Sequence, residues 1–328
     1  MSRWAFLLLW TCFATAQDMH YSQYLNVPLS LNPALTGKVN GTFRLGVNYR
    51  NQWLGLSVSQ STFSTPTFYG DVPVRFKTKD ILGVGVNIIT DRSAGGRLKT
   101  FSGVVSLAFH KVIGKSKTHF ISLGLQGGYL QKSLDLSRVH LYEDIVLQEG
   151  TFITSADKGS LRGSDGGFDL HAGFDWHSAF GNKVQLGAGY AALHLTQPKV
   201  SLTNENASIP VRHALHADAE FSVARHLQIH PFFLYMRQSK TEELFAGLAF
   251  AIPFGRDMGL TFGGYYRVND AGIPYVQLEI KGFKLAASYD FTVSELNTTR
   301  GGFELSLLYV GKYIPVPDVK PSMYCPRF

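Results

Sequence analysis

From about residue 42 to residue 311, apolar side chains recur at every second position in short stretches separated by turn residues. The segment 42–50 is the clearest: Phe43, Leu45, Val47 and Tyr49 fall on one side of a strand, and Thr42, Arg44, Gly46, Asn48 and Arg50 on the other. The same alternation carries Leu82, Val84, Val86 and Ile88, then Phe168, Leu170, Ala172, Phe174 and Trp176, then Phe283, Leu285, Ala287, Tyr289 and Phe291, and finally Phe303, Leu305, Leu307 and Tyr309. The pattern predicts strands near 42–51, 60–73, 80–91, 98–111, 119–132, 164–177, 183–196, 211–225, 226–239, 242–253, 257–269, 273–281, 283–292 and 301–312. One or two such stretches occur in any soluble sheet. About fourteen, with hardly any helical period between them, predict an all-β chain: a transmembrane antiparallel outer-membrane β-barrel whose apolar face meets lipid.

The connections support this. With both barrel ends in the periplasm, external loops follow the odd strands and include 52–59, 92–97, 133–163, 197–210 and 293–300, whereas the opposite set contains turns as tight as those near Arg225-His226, Gly255 and Gly282. No water reaches a bilayer core, so every backbone N–H and C=O needs a partner within the protein, and a closed sheet leaves no edge unpaired. Arg44, Arg50, Asp169, His171 and Asp175 are therefore expected to face the lumen, with Arg50 paired to a carboxylate such as Asp169 or Asp175.

Four segments result. Residues 1–16 form a secretory signal, with Arg3 before an apolar Trp4–Trp10 run and Ala14-Thr15-Ala16 before Gln17. That run is too short to span a bilayer, and no later stretch approaches the ~18 unbroken apolar residues a spanning helix needs. Residues 17–41 are read as a periplasmic N-terminal segment punctuated by Pro28 and Pro33, 42–312 as the barrel, and 313–328 as a C-terminal tail.

Composition adds three limits. Without Arg3 the 31 Lys and Arg become 30 against 24 Asp and Glu, a mild excess spread along the chain without a basic block, which argues against nucleic-acid binding. One of the two cysteines, Cys12, lies in the signal, so Cys325 has no internal disulfide partner. The 33 glycines fit tight bends and a crowded interior, and the aromatic residues (24 Phe, 15 Tyr, 4 Trp) fit interface girdles.

Candidate chemistry is sparse. Gly187-Ala188-Gly189-Tyr190-Ala191-Ala192 matches a dinucleotide fingerprint in letters, but it lies within an alternating strand, whereas the fingerprint requires a helix opening at its glycines. His171, His177, His194, His213, His216 and His230 follow no compact ligand spacing, so no metal or other cofactor is expected. No Ser/His/Asp or paired-acid set assembles at any strand end, and no catalytic residues are assigned. The loop 133–163, rich in both charges and apolar residues, reads equally as a folded-back plug, a partner-binding surface or a disordered excursion.

The two ends carry the recognisable motifs. Gln17-Asp18-Met19-His20-Tyr21-Ser22-Gln23-Tyr24, the run Pro28-Leu29-Ser30-Leu31-Asn32-Pro33-Ala34-Leu35-Thr36-Gly37, the pentapeptide Tyr49-Arg50-Asn51-Gln52-Trp53 and the closing Cys325-Pro326-Arg327-Phe328 together resemble the PorP/SprF family of the Bacteroidota. The resemblance implies an integral outer-membrane barrel of the type IX secretion and gliding machinery, in contact with outer-membrane lipid. Implied partners are a secreted cargo or adhesin, a periplasmic peptidoglycan-bound lipoprotein and the secretion ring. It marks Asn32, Pro33, Tyr49, Arg50, Asn51, Gln52, Trp53, Cys325, Pro326, Arg327 and Phe328 as candidate partner contacts. Trp53 also suits a girdle position at the first strand's outer end, and Lys77, Lys79, Lys111, Lys115 and Lys117 place positive charge in the inner turns. A channel or hydrophobic-solute transporter is the alternative function.

Overall fold

The computed structural model describes residues 18–52, 63–76, 80–114, 118–138, 162–203, 207–254, 257–293 and 301–312. Fourteen antiparallel strands close into a barrel: β1 (Arg44–Gln52), β2 (Phe63–Arg75), β3 (Ile81–Ser93), β4 (Leu98–Ile113), β5 (His119–Leu134), β6 (Ser164–Phe180), β7 (Val184–Leu193), β8 (Arg212–Ala224), β9 (Leu227–Gln238), β10 (Thr241–Pro253), β11 (Met258–Arg267), β12 (Ala271–Ile280), β13 (Phe283–Thr292) and β14 (Gly302–Val310). Each lies where the alternation placed it, with ends moved by at most three residues. β7 ends three residues early, at Leu193, because His194 takes φ +59° and turns the chain. Closure is made by β1 on β14, in a register running from Arg44 opposite Val310 to Gln52 opposite Gly302. The Gly187–Ala192 stretch lies inside β7, which removes the dinucleotide reading.

The pleat sorts the side chains. Leu45, Val47, Val105, Leu107, Leu123, Leu125, Phe168, Leu285 and Leu305 stand exposed on the outer surface, while Arg44, Arg50, Asp169, His171 and Asp175 are buried inside. No helix among the described residues is long and apolar enough to cross a membrane. Leu125, near the middle of β5 and 57% exposed, tests this face. Leu125→Arg is expected to destabilise the barrel in lipid by about 2–4 kcal/mol, whereas the same change in a girdle position costs about 0–1. Urea midpoints in lipid vesicles measure the difference, and equal effects at both positions would contradict a lipid-facing Leu125.

One expectation is corrected. Residues 17–41 were read as a periplasmic segment, but residues 18–40 run through the barrel interior. There they form a 3-10 turn at Tyr24–Asn26, a short helix α1 (Pro28–Leu31) and a second 3-10 turn at Pro33–Leu35. The physical reason is volume and polarity. A fourteen-strand lumen is wide, and this segment supplies the apolar groups that fill it. Val27, Leu29, Leu31 and Leu35 pack with Tyr69, Phe232, Leu234, Phe245, Tyr265 and Ile273 of the wall in one hydrophobic core. Tyr24 sits at its centre, edge-on to Phe232, Phe245 and Tyr265 at ring distances of 6.3, 6.0 and 6.1 Å. Each buried leucine contributes about 1.5–3 kcal/mol relative to a water-filled interior. The apolar core of this barrel therefore lies between its own N-terminal segment and the inner faces of β9–β12.

Candidate functional site

Three polar clusters fasten the internal plug along its length, and together they make the candidate site. The middle one is centred on Arg50. Its guanidinium donates to Glu304 Oε2 at 3.0 Å, to Asp290 Oδ2 at 2.8 Å and to Ser22 Oγ at 2.5 Å. Ser22 in turn donates its hydroxyl to Asp290 and its backbone N–H to Glu304, both at 2.8 Å. Glu304 also accepts from Gln23 N at 3.2 Å and Asn48 Nδ2 at 2.8 Å. Arg267 adds a second guanidinium to Asp290 at 3.2 Å. The sequence reading paired Arg50 with Asp169 or Asp175. The partners are Asp290 and Glu304 instead, because barrel closure sets Glu304 directly opposite Arg50 across the β1–β14 ladder.

The second cluster holds the inner end, beside the short turns. Arg44 binds Asp71 through two nitrogens, at 2.9 and 2.7 Å, and donates to Leu35 O at 3.2 Å. Asp71 also accepts from Gly37 N at 2.6 Å. Lys38 donates to Asp175 at 2.9 Å, His110 Nε2 meets Thr36 O at 2.7 Å, and Thr36 bonds Ser106 through its hydroxyl. Between these clusters Asn32 and Pro33 set the local path. Asn32 accepts from Ala34 N at 2.9 Å, capping the turn that Pro33 opens, and donates to Phe174 O at 2.9 Å. Its amide also lies 3.0 Å from His216 Nε2. The wall makes room here with glycine: a Cβ on Gly124 of β5 would fall on Pro33 C and Ala34 N, and one on Gly173 of β6 on Asn32 Oδ1.

The third cluster holds the outer end, beside the long loops. His194 Nε2 lies 2.6 Å from Asp18 Oδ2, its Nδ1 lies 2.6 Å from Asp169 Oδ2, and its backbone N–H donates to His171 Nδ1 at 2.9 Å. Arg212 donates to Met19 O at 2.7 Å and approaches Asp18 at 3.3 Å. Asp169, His171 and His194 are close enough together to be considered as metal ligands. The bonding favours a different chemistry. An imidazole with a carboxylate on each ring nitrogen is an imidazolium with both N–H groups donating, and it has no lone pair for a metal. Burial alone would lower the His194 pKa, but Asp18 and Asp169 outweigh it and raise it to about 9. The raised value fixes the sign of the pH effect. This contribution to holding the plug is complete below pH ~6.5 and is lost as pH rises through about 9. A thiol-reactive probe on a cysteine at Met19 is therefore expected to react faster above pH 9 than the alkaline activation of the thiol alone explains. His194→Gln should remove that extra step.

The other candidates separate. Gln52 faces the plug, its amide 3.4 Å from His20 Nε2, while Asn51 and Tyr49 lie together on the other face of β1 at 3.4 Å. The four described residues of the pentapeptide are thus divided between the two faces of β1. Trp53 and Cys325, Pro326, Arg327 and Phe328 lie outside the described residues, as do Lys77, Lys79, Lys115 and Lys117. Lys111 pairs with Asp80 at 2.8 Å. Sequence reasoning did not find Ser22, Gln23, Asp290, Glu304 and Gly124 as plug contacts. The available signal was a tract of inward positions occupied by small or polar residues in strands with no visible partner.

A recess lies on each side of the plug. The inner one is lined by Leu25, Leu31, Leu35, Leu308 and Lys284 among others, and the outer one by Tyr21, Leu130, Leu193 and Arg212 among others.

Comparison with known proteins adds the following. The family model described as "Type IX secretion system membrane protein PorP/SprF" matches residues 14–309. No curated protein matches the chain. Among solved structures, the chain is similar to the ΔS2 mutant of the monoaromatic hydrocarbon channel TodX, at 10% identity and TM-score 0.57, over 88% of this chain and 94% of that one. The ΔS2S3 mutant of TodX matches at 10% identity and TM-score 0.56 over the same shares. The monoaromatic hydrocarbon channel CymD matches at 8% identity and TM-score 0.50, over 90% of this chain and 94% of that one. At these identities the likeness is one of fold: an outer-membrane type of barrel.

Proposed function

This chain belongs to the PorP/SprF family of type IX secretion system membrane proteins, and from that premise we propose that it is a non-catalytic outer-membrane mount. It supports the secretion, or the anchoring at the surface, of a secreted protein such as an adhesin. Its inner side faces a peptidoglycan-bound lipoprotein and the secretion ring, and its signal peptide is removed on export. The observation that carries this reading is the filled lumen. A plug bonded to strands all around the wall, from Arg50 and Glu304 to Asp71 and Asp175, supports a rigid mount and disfavours a conduit for folded cargo. The family places the barrel in lipid and among machinery partners, and anchorage uses the long-loop side as its contact surface.

Deleting the gene should leave the secreted partner absent from the cell surface, with the type IX machinery otherwise assembled. Gentle solubilisation and affinity purification of the barrel should recover either that partner or the periplasmic lipoprotein. Recovery of neither, together with normal display of every secreted protein in the deletion strain, would overturn the reading. A second reading, passage of a hydrophobic solute, is favoured by the two apolar-lined recesses flanking the plug. It requires uptake of a small hydrocarbon into cells to fall when the protein is deleted.

A further inference from the structure

The plug has a direction, and the direction was not expected. Its first described residue, Asp18, is bonded to His194 just past the end of β7, to Arg212 at the start of β8 and to Gln238 at the end of β9. All three sit at the long-loop mouth. Its other end reaches the short-turn mouth, where Arg75 at the end of β2 donates to Gly41 O at 2.9 Å and Thr42 N donates to Gly311 O at 3.2 Å. In between, the segment passes Arg50 and Glu304, then Asn32 against β6, then Thr36 against His110. Asp18 therefore lies at the mouth opposite the one at which β1 begins. The way back is closed, because Tyr24 with Phe232, Phe245 and Tyr265 and the Asn32–Ala34 turn against Gly124 and Gly173 fill the middle of the lumen.

We propose that this polypeptide is threaded through its own barrel, so that the amino terminus created by removal of the 1–16 leader is displayed at the cell surface. It rests on the reading in which the long loops face outward. The consequence for partners is directional. An extracellular protein has access to the outer end of the plug, at Asp18, Met19 and His20 beside a small cleft shared with Arg212, Gln238 and Glu243. A periplasmic partner meets only its inner end, near the exposed Asn40. The outer end is fastened by an ion cluster at the rim, with Asp18 between His194 and Arg212 and His20 against Glu243 at 3.3 Å.

Surface display can be tested in the full-length protein in intact cells. One short hydrophilic epitope is inserted directly before Asp18, a second within the loop 133–163 and a third at the short turn around Gly255, each in a separate strain. The expected result is antibody labelling of the first two on intact cells and of the third only after the envelope is opened. Labelling of the loop epitope on intact cells, with the epitope before Asp18 silent until lysis, overturns the proposal and leaves the barrel orientation standing. Silence of both, with labelling at Gly255, overturns the orientation instead. Because an inserted epitope can itself expel the plug, Gln17→Cys in a Cys325→Ser background is read with a membrane-impermeant maleimide. It should react on intact cells at least about tenfold faster than a cysteine placed at Gly255, and equal protection of the two overturns the display.

Discussion

Replacing Arg50 with alanine is expected to destabilise the folded barrel by about 3–5 kcal/mol, because it strips two buried carboxylates of their shared counter-charge. Asp290 and Glu304 would stay inside a closed wall, Asp290 with Arg267 and the Ser22 hydroxyl and Glu304 with the neutral donors of Ser22, Gln23 and Asn48. An ion pair on the surface would cost far less, about 0–1 kcal/mol, since water replaces the partner. The measurement is thermal unfolding in detergent, followed by heat-modifiable gel mobility. Arg50→Ala should lower the midpoint strongly. Arg50→Lys should fall between, because a lysine keeps the charge but cannot reach Ser22, Asp290 and Glu304 from one planar fork. The double variant Arg50→Ala with Glu304→Gln should be more stable than the sum of the single effects, since it removes a charge that the first change orphans. An unchanged midpoint for Arg50→Ala would mean that the cluster is hydrated and contributes little.

The second large effect concerns the lumen. Gly173→Val and Gly124→Val each place atoms where Asn32, Pro33 and Ala34 now lie, so the plug and the new side chain cannot share the space. Overpacking of this kind costs about 1–3 kcal/mol, which corresponds to roughly a five- to 150-fold shift in the docked-to-undocked ratio. The wall does not depend on the plug for its pairing, because β1 closes on β14 through its own ladder. The expected phenotype is therefore specific: a barrel that still folds and inserts, but conducts ions in planar bilayers and admits bulky antibiotics to cells. The outward substitution Gly272→Val, at a position with nothing within 4 Å of a built Cβ, should leave conductance at the wild-type level. If Gly173→Val remained as tight as wild type, the lumen would have to be sealed by something other than Asn32 and its neighbours.

How far the sequence could be read depends on how local the signal is. Alternation is a property of adjacent residues, and it marked all fourteen strands, the lumenal burial of Arg44, Arg50, Asp169, His171 and Asp175, and the long-loop side. The strands β9–β12 weaken the alternation, with Phe232 buried beside the exposed Phe233. In hindsight that double-sided apolar wall announces a packed lumen, because an inner face that met only water would be polar. The plug itself was not legible, since its bonds join residues 18–38 to partners as distant as Asp290 and Glu304. No pattern within a short window encodes a contact that spans more than 250 residues. The motifs Asn32-Pro33 and Arg50 were recognised, but their role, one on each side of the plug–wall contact, was invisible until the barrel closed.

Alternating hydrophobicity by itself determined that this polypeptide is a strand-built membrane wall, because only a closed sheet satisfies its backbone in lipid while presenting an apolar outside. The tertiary structure alone decided what fills the wall, which acid answers which base, and at which mouth Asp18 lies. Those outcomes depend on closure. Once β1 meets β14, Glu304 stands opposite Arg50, a finite interior exists, and residues 18–40 are the chain available to occupy it.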